Sequence, residues 1–449
     1  MSINPEVFIN PSDRAAVKLL GKIPGYNAVV KMFMKVWGDN NLRLAMLSSK
    51  LRVNERQLPE YYKMLTDICK KLGIEEIPEL YIENYPYPNV YTIGYKKPMI
   101  VLTSALLESI PTELVPTVLA RECGHIICGH VEYSTITYLA IWRGLISDIN
   151  STVSPLLESG FYNWLKASEY TADRVAAVCD GTSDKLTELY MYYAGYSSKL
   201  PFKPDKEEFL RQGEEYASAD KEIKNKAFED MNRKRKDQPF CAERAYVCNK
   251  WTASEDYARV CKYVEEEASG ITDHDVILLP FSSKDIQDKS LDTVTEQLKA
   301  AGFADISRAE IISGDASNKE SQIAGVRIDG RWKFHLGELV DKTAKCVISC
   351  FVSRSEAKSG SFITVPHSSS YFADRNIDEV LSEFRELGFT MLSSVPKAEK
   401  KKKQKTEPNS VISVMIDGAA KFKKNTQFES SADIIVYFCE EKPGEADSE

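Results

Sequence analysis

The first part of the chain shows the three- and four-residue spacing of apolar positions that is typical of amphipathic helices. Within residues 13–71 the clearest run comprises Leu58, Tyr61, Tyr62, Leu65 and Ile68. Three short β-rich segments follow at residues 80–82, 90–94 and 99–102, with Pro86, Pro88 and Pro98 between them. Such segments predict a small antiparallel sheet. Helical spacing then resumes and predicts a helix over residues 112–130.

The last third of the chain contains an internal repeat. Residues 276–283 match 362–369, residues 298–303 match 384–389, and residues 326–330 match 414–418. Each copy is predicted to form a strand, a helix, a strand and a hairpin around Ile-Asp-Gly, because Asp-Gly between apolar residues favours a two-residue turn. Neither copy contains a cluster of His, Asp, Glu or Cys, so we expect a role in binding, spacing or assembly.

These patterns predict an α+β protein with more than one domain. The first domain, residues 1–268, is mainly helical with a small antiparallel sheet, and the repeated α+β modules occupy residues 269–356 and 357–442. A length of 449 residues, with 43% hydrophobic and 28% charged residues, agrees with a globular protein of several domains.

Charge and composition narrow the expected partners and location. A formal net charge of -8 argues against nucleic acid as a partner, and the lysine run at residues 400–403 is expected to be a solvated loop. The N-terminus lacks the features of a secretory signal. The longest apolar stretch, residues 138–146, contains Arg143 and is too short to span a membrane. The ten cysteines form no Cys-x-x-Cys pair, so a reduced, cytoplasmic location is expected.

The candidate chemistry lies in residues 121–125, which read Arg-Glu-Cys-Gly-His. A zinc peptidase helix places two histidines at i and i+4 on one metal ion, with a glutamate between them that activates the bound water. A later helix then provides a third ligand, which is a glutamate. Glu122 and His125 fit this pattern, and Glu169 and Asp173 form a later Glu-x-x-x-Asp pair. Arg121 stands where the first histidine is required.

Several ordered segments between residues 54 and 257 resemble the peptidase M-48 family, the gluzincin metallopeptidases that include the CAAX prenyl protease and the HtpX-like proteases. The matching segments are residues 77–81, 89–94, 100–104, 119–130 and 169–174. The resemblance implies a zincin-like metallopeptidase fold for the first domain, zinc as cofactor and a polypeptide as substrate or partner.

The same resemblance implies roles for individual residues. His125 and Glu169 lie at zinc-ligand positions, Glu122 at the catalytic-base position, and Asp173 at the position that orients the first histidine. Residues 238–244 are similar to a later His-Pro…Arg motif at the cleft. In this chain Gln238 replaces its histidine, whereas Arg244 is retained.

A guanidinium group stays protonated and offers no lone pair to zinc. We therefore expect Arg121 to project toward Glu169 and Asp173 and to form an arginine–carboxylate fork in place of the metal. This predicts a pseudoprotease that binds a polypeptide or partner. The alternative is an active or attenuated zinc metalloendopeptidase that uses His125 and Glu169.

Two neighbouring residues could in principle replace the missing ligand. His130 would lie on the opposite face of the helix as long as the helix continues, so it is not expected to reach the site. Cys128 could form a site with His125 and Glu169, but a buried thiol is the simpler interpretation.

Overall fold

The structure is a computed structural model that describes residues 3–28, 30, 38–142, 154–219, 240–286, 289–312, 322–353, 357, 360–397 and 408–440. The lysine run at 400–403 and Gln238 lie outside these residues. The chain divides into two compact units, Met1–His274 and Asp275–Glu449, here named unit 1 and unit 2. Within the described residues, no helix is long and apolar enough to cross a membrane.

Unit 1 combines helices with a four-stranded sheet. Its helices are α1 (Pro11–Leu20), α2 (Asp39–Ser49), α3 (Pro59–Lys71), α4 (Ser104–Ser109), α5 (Val115–Ile127), α6 (Val131–Trp142), α7 (Ser154–Asp180), α8 (Asp184–Ala194), α9 (Lys206–Ser218), α10 (Cys241–Thr252) and α11 (Glu255–Ala268). Helix α5, which carries the candidate motif, packs against α7 and α3. The mixture of helices and strands expected from the sequence is confirmed.

The sheet of unit 1 has mixed strand directions. Its strands are β1 (Leu51–Val53), β2 (Glu79–Glu83), β3 (Val90–Ile93) and β4 (Met99–Thr103), in the order β1-β2-β4-β3. The pairs β1–β2 and β3–β4 are antiparallel, but β2 and β4 are parallel. The prediction of an antiparallel sheet is therefore wrong for this pair. Every residue of β4 is buried, which is typical of a strand in the interior of a covered sheet.

Helix α5 ends earlier than the sequence pattern suggested. The prediction placed the helix over residues 112–130, whereas the observed helix is Val115–Ile127. Gly129 takes a positive φ of 72°, and the amide of His130 donates to the carbonyl of His125 at 2.9 Å. Glycine adopts this left-handed conformation readily and so ends the helix. The chain thus reverses and brings His130 back onto the last turn, contrary to the expectation for a continuous helix.

Unit 2 has two halves with the same order of elements. The first half contains β5 (Val276–Leu278), α12 (Leu291–Ala301), β6 (Ile306–Ile312), β7 (Ile323–Ile328), β8 (Leu339–Asp341) and β9 (Cys346–Val352). The second half contains β10 (Phe362–Val365), α13 (Ile377–Glu386), β11 (Met391–Lys397), β12 (Val411–Ile416), β13 (Thr426–Glu429) and β14 (Asp433–Cys439).

Strand pairings also correspond between the halves of unit 2. In each half the first strand pairs antiparallel with the fourth, the second pairs parallel with the fifth, and the third pairs antiparallel with the fifth. Strand β13 also pairs with β6, which joins strands of both halves in a sheet of order β10-β13-β6-β9-β7. The division into modules at residues 269–356 and 357–442 stays a prediction.

The Ile-Asp-Gly segments form the predicted turns but not complete hairpins. Asp329 and Gly330 have φ values of 45° and 76°, and Asp417 and Gly418 have φ values of 44° and 81°. Positive φ at both central residues is the signature of a type I′ turn. Each turn is closed by a single bridge, after which β8 and β13 pair with β5 and β10 instead of returning along β7 and β12.

One of these turns contains a buried carboxyl group and allows a pH-dependent prediction. Burial raises the pKa of Asp417 from 3.8 to about 6. Because this carboxyl binds protons more tightly when folded, its ionisation destabilises unit 2 progressively as pH rises from about 4 to about 6. Asp417→Asn keeps an oxygen that can accept from the amide of Asp433, and it adds no charge. We expect it to stabilise unit 2 by about 1–2 kcal/mol at neutral pH.

The measurement is urea denaturation of the wild type and the variant across this pH range. The difference in unfolding free energy should be near zero at about pH 4 and reach a plateau above about pH 6. A difference of equal size at all pH values would contradict ionisation of Asp417 as its cause.

Candidate functional site

The candidate site lies where α5 crosses α7. Helix α5 supplies Arg121, Glu122 and His125, and α7 supplies Glu169 and Asp173. A glycine in α5 permits the close approach, because a Cβ atom at Gly124 would lie 3.0 Å from a side-chain carbon and 3.3 Å from a backbone carbon of α7. The absence of a Cβ atom at Gly124 therefore helps to place the motif directly against the acidic pair.

The guanidinium group of Arg121 is buried between the two carboxylates of α7. Its Nε donates to Oδ1 of Asp173 at 3.0 Å, and its Nη2 donates to Oε2 of Glu169. The side chains of Arg121 and Asp173 are each 1% exposed, whereas that of Glu169 is 21% exposed. The sequence expectation placed Arg121 against these same two carboxylates.

A second arginine, Arg244 of α10, completes the cluster. Its Nε and Nη2 donate to Oδ2 and Oδ1 of Asp173 at 2.9 and 2.7 Å, in a side-on fork. Its Nη2 also lies 2.6 Å from Oε2 of Glu169. The hydroxyl of Tyr190 donates to Oδ1 of Asp173, and the Tyr190 ring centre lies 4.7 Å from Cζ of Arg244. We name Arg121, Arg244, Glu169, Asp173 and Tyr190 the charge cluster.

The charge cluster pairs two guanidinium groups with two carboxylate groups in the interior of unit 1. Burial raises the pKa of Glu169, but Arg244 and Arg121 outweigh burial and hold that pKa well below its ordinary value. Burial also lowers the pKa of Arg121, but nearby Tyr190 and Glu169 raise it overall. Asp173 and Glu169 likewise raise the pKa of Arg244 against the effect of burial, so both arginines and Glu169 are charged at neutral pH. Charge-assisted, bidentate hydrogen bonds of this kind are the strong ones in proteins.

The remaining motif residues have partners of their own. Oε2 of Glu122 accepts a hydrogen bond from Oγ1 of Thr92 in β3 at 2.7 Å, and both side chains are buried. Nε2 of His125 faces Oε1 of Glu169 at 3.6 Å. Burial lowers the pKa of His125, but the contact with Glu169 outweighs this and raises it.

His125 is linked through a second histidine, His130, to the carboxyl group of Asp13. The Nδ1 atoms of His125 and His130 are 3.0 Å apart, and Nε2 of His130 lies 2.9 Å from Oδ2 of Asp13 in α1. Oγ1 of Thr171 donates to the same aspartate oxygen at 2.7 Å. A hydrogen-bonded row therefore connects α1 to the motif helix through His130.

The residues present do not fit a zinc ion at the position that the resemblance implies. Arg121 is a donor and cannot ligate a metal, and Oε2 of Glu169 is bound to two guanidinium groups. Among the described residues, no group of three or more His, Cys, Asp or Glu side chains is arranged to hold a metal ion. Burial raises the pKa of Cys128, which disfavours the thiolate that a Cys128 site would require.

Comparison with known proteins agrees with the motif geometry. A sequence model described as Peptidase family M48 matches residues 55–211. Residues 55–211 therefore belong to peptidase family M48. The chain is also 25% identical over 270 residues to "Plastoglobule-localized metallopeptidase 48, chloroplastic" of Arabidopsis thaliana, and the match covers 60% of this chain and 78% of that relative. That name places the relative in the chloroplast, and the cytoplasmic location expected for this chain stays a prediction.

The solved structures that were matched include an X-ray structure of the extracellular region of the Ser/Thr kinase PrkC from Staphylococcus aureus, with 12% identity and a TM-score of 0.14. That match covers 38% of this chain and 48% of the solved chain. With a TM-score this low, the likeness carries no argument about fold or function.

Sequence reasoning identified part of the charge cluster and missed the rest. It placed Arg244 at the cleft, whereas the structure buries it against Asp173. Tyr190 was not identified, and no local motif marks it, because its role depends on how α8 packs. Asp13 was also missed, and His130 was not expected to reach the site, although Gly129 directly after the apolar run is a recognised signal for the end of a helix.

Proposed function

We propose that this M48 domain is a pseudoprotease, which binds a polypeptide in its former substrate cleft without hydrolysing it. The observation that carries the proposal is the burial of Arg121 between Glu169 and Asp173. A permanent cation there supplies the charge that a zinc ion would otherwise provide to the carboxylates. Hydrolysis by a zinc-activated water requires a metal with an open coordination position.

Arg244 adds to the support for this proposal. It binds both carboxylates of the charge cluster, so the acidic side chains are satisfied by protein groups alone. Removing the cations to admit a metal would leave the carboxylates of Glu169 and Asp173 facing each other without a neutralising charge. The retention of Glu122 and His125 is explained by their contacts with Thr92 and His130 without any catalytic role.

The test begins with the purified full-length chain. After dialysis against zinc, metal analysis should give far less than one zinc per chain, and no site of micromolar or tighter affinity. Fluorescently labelled unfolded casein should bind and be recovered without fragments. Stoichiometric zinc, or cleavage of casein that a chelator abolishes, would support the alternative of an attenuated zinc metalloendopeptidase and would overturn the proposal.

Arg121→His restores the i, i+4 histidine pair and is expected to bind about one zinc ion per chain. The reason is that an imidazole replaces the guanidinium beside His125 and frees one side of Glu169. If Arg244 alone excludes the metal, Arg121→His will stay zinc-free. That result would contradict the assignment of Arg121 as the decisive residue.

Arg174→His is the matched control for this substitution. It introduces an imidazole into α7 at a side chain that lies 4.6 Å from the ring centre of Trp251 and outside the charge cluster. We expect no gain of zinc from it. Gln238→His can be added to Arg121→His, so that the histidine of the later family motif is restored as well.

A further inference from the structure

The chain reverses direction after α11, at the end of unit 1. Gly270 has a positive φ of 76°, and its amide donates to the carbonyl of Glu267 at 3.0 Å. The amide of Ile271 donates to the carbonyl of Glu266 at 2.9 Å. This pair of bonds is the Schellman arrangement, which reverses the chain after a helix. Residues 269–274 therefore return along the last turn of α11, and His274 is the last residue of unit 1.

His274 is held on both sides by carboxylates. Its Nδ1 lies 2.9 Å from Oε2 of Glu266, and its Nε2 lies 3.0 Å from Oε1 of Glu267. Ionised carboxylates only accept hydrogen bonds, and a neutral imidazole has one N–H group. Both contacts can be hydrogen bonds at once only if each ring nitrogen carries a hydrogen. The observed geometry is therefore that of an imidazolium cation.

Of the other groups around His274, some favour the protonated imidazole and others disfavour it. The ring centre of Tyr263 lies 4.8 Å from that of His274, and the negative end of the α11 dipole favours a cation there. Lys262 lies 3.6 Å from Oε1 of Glu266 and competes for that carboxylate. The side chain of His274 is 13% exposed. Burial lowers the pKa of His274, but the two glutamates outweigh burial and raise it.

We propose that His274 acts as a pH-dependent clasp, which fastens residues 269–274 to α11 when the imidazole is protonated and releases them when it is neutral. Deprotonation would turn a nitrogen lone pair toward a carboxylate oxygen, and that contact is repulsive. The clasp controls the point at which the chain leaves unit 1. This proposal uses none of the charge cluster and goes beyond the pseudoprotease function.

The pH range follows from the direction of the shift. A histidine whose pKa is raised on folding stabilises the folded segment fully below its unfolded value of about 6.5. That stabilisation is lost as pH rises through the folded value. The clasp is thus closed in mildly acidic solution and opens on the alkaline side.

A direct test is an NMR titration of His274 in the full-length chain, with the signal assigned by its loss in His274→Gln. The midpoint should lie above that of an unfolded peptide with the sequence of residues 270–278. Glu266→Gln and Glu267→Gln should each lower it. A midpoint at or below that of the peptide would overturn the proposal. This comparison uses the wild-type chain, and His274→Gln serves only to assign the signal.

Hydrogen exchange tests the release of the segment. After correction for the intrinsic rate, the amides of Gly270 and Ile271 should be at least about tenfold better protected at about pH 6 than at about pH 9. His274→Gln should show little dependence on pH, and His335→Gln, which alters an exposed histidine of unit 2, should behave as the wild type. Wild-type protection that does not change with pH, or a pH dependence that survives His274→Gln, would refute the clasp.

Discussion

Asp173→Asn is expected to destabilise unit 1 by about 3–5 kcal/mol, because it removes one partner from a buried ion cluster. In the wild type, Oδ1 of Asp173 accepts from Arg121, Arg244 and Tyr190, and Oδ2 accepts from Nε of Arg244. An asparagine can present only one oxygen, so its amide nitrogen would face a donor. Two guanidinium groups would then share the single remaining carboxylate of Glu169.

The measurement is chemical denaturation followed by tryptophan fluorescence, since Trp164 and Trp251 are buried in unit 1. Asp184→Asn is the matched control, because Asp184 lies on the surface in an ion pair with Lys206. Exposed pairs contribute little, so this control should cost less than about 1 kcal/mol. If Asp173→Asn costs no more than Asp184→Asn, the charge cluster does not stabilise unit 1.

The position of Arg121 could be predicted because the family resemblance implies that its helix and the helix of Glu169 and Asp173 meet at one site. The i, i+4 spacing in α5 fixes which face of the helix its residues share, and the acidic pair Glu169 and Asp173 has the same spacing in α7. Charge complementarity then requires that a buried arginine meet the acidic pair. The roles implied by family resemblance for Glu122, His125 and Glu169 stay predictions.

The rest of the cluster depends on long-range packing, which a single sequence does not encode in a readable pattern. Arg244 approaches Asp173 from α10, 71 residues further along the chain. His130 reaches His125 only because the helix stops at Ile127, whereas the sequence prediction continued the helix through Gly129 to residue 130. The direction of the strands was also not readable from the sequence. Strand β2 pairs in parallel with β4, and not with β3, which follows it in the chain.

In unit 2 the sequence pattern predicted a strand, a helix and a second strand in succession, but it did not predict the partners of the strands. Asp-Gly correctly predicted the turns, because those residues tolerate positive φ. The strand after each turn pairs elsewhere, and β13 joins β6 of the first half. Pairing between the halves depends on which sheet edges are unpaired in the folded structure. The spacing of apolar residues along the chain does not carry this information.

Besides the pairing of β13 with β6, one aromatic side chain makes a close contact between the halves of unit 2. Trp332 of the first half donates from Nε1 to Oδ2 of Asp433 in the second half at 2.7 Å. Its ring lies over Gly418 and Gly325, where a Cβ atom at Gly418 would be 2.7 Å from Cζ3 of Trp332 and 3.0 Å from Cα of Gly325. No side chain fits at Gly418 unless the halves move apart.

Gly418→Ala is therefore expected to destabilise unit 2 by about 3–4 kcal/mol, which combines a strained φ of 81° with overpacking against Trp332. Gly330→Ala is the matched control at the corresponding turn. Gly330 has a φ of 76°, and nothing lies within 4 Å of its added Cβ atom. This control should cost only the strain, about 1 kcal/mol.

The difference between the two variants measures how tightly the halves are packed, because the strain on the backbone is nearly the same in both. Denaturation of unit 2 should show a much lower midpoint for Gly418→Ala than for Gly330→Ala. Trp332→Leu should reduce the extra cost, since its smaller side chain relieves the closest contact, although the approach of Gly325 persists. Equal effects of the two alanine variants would mean that the halves can separate at this point without loss of stability.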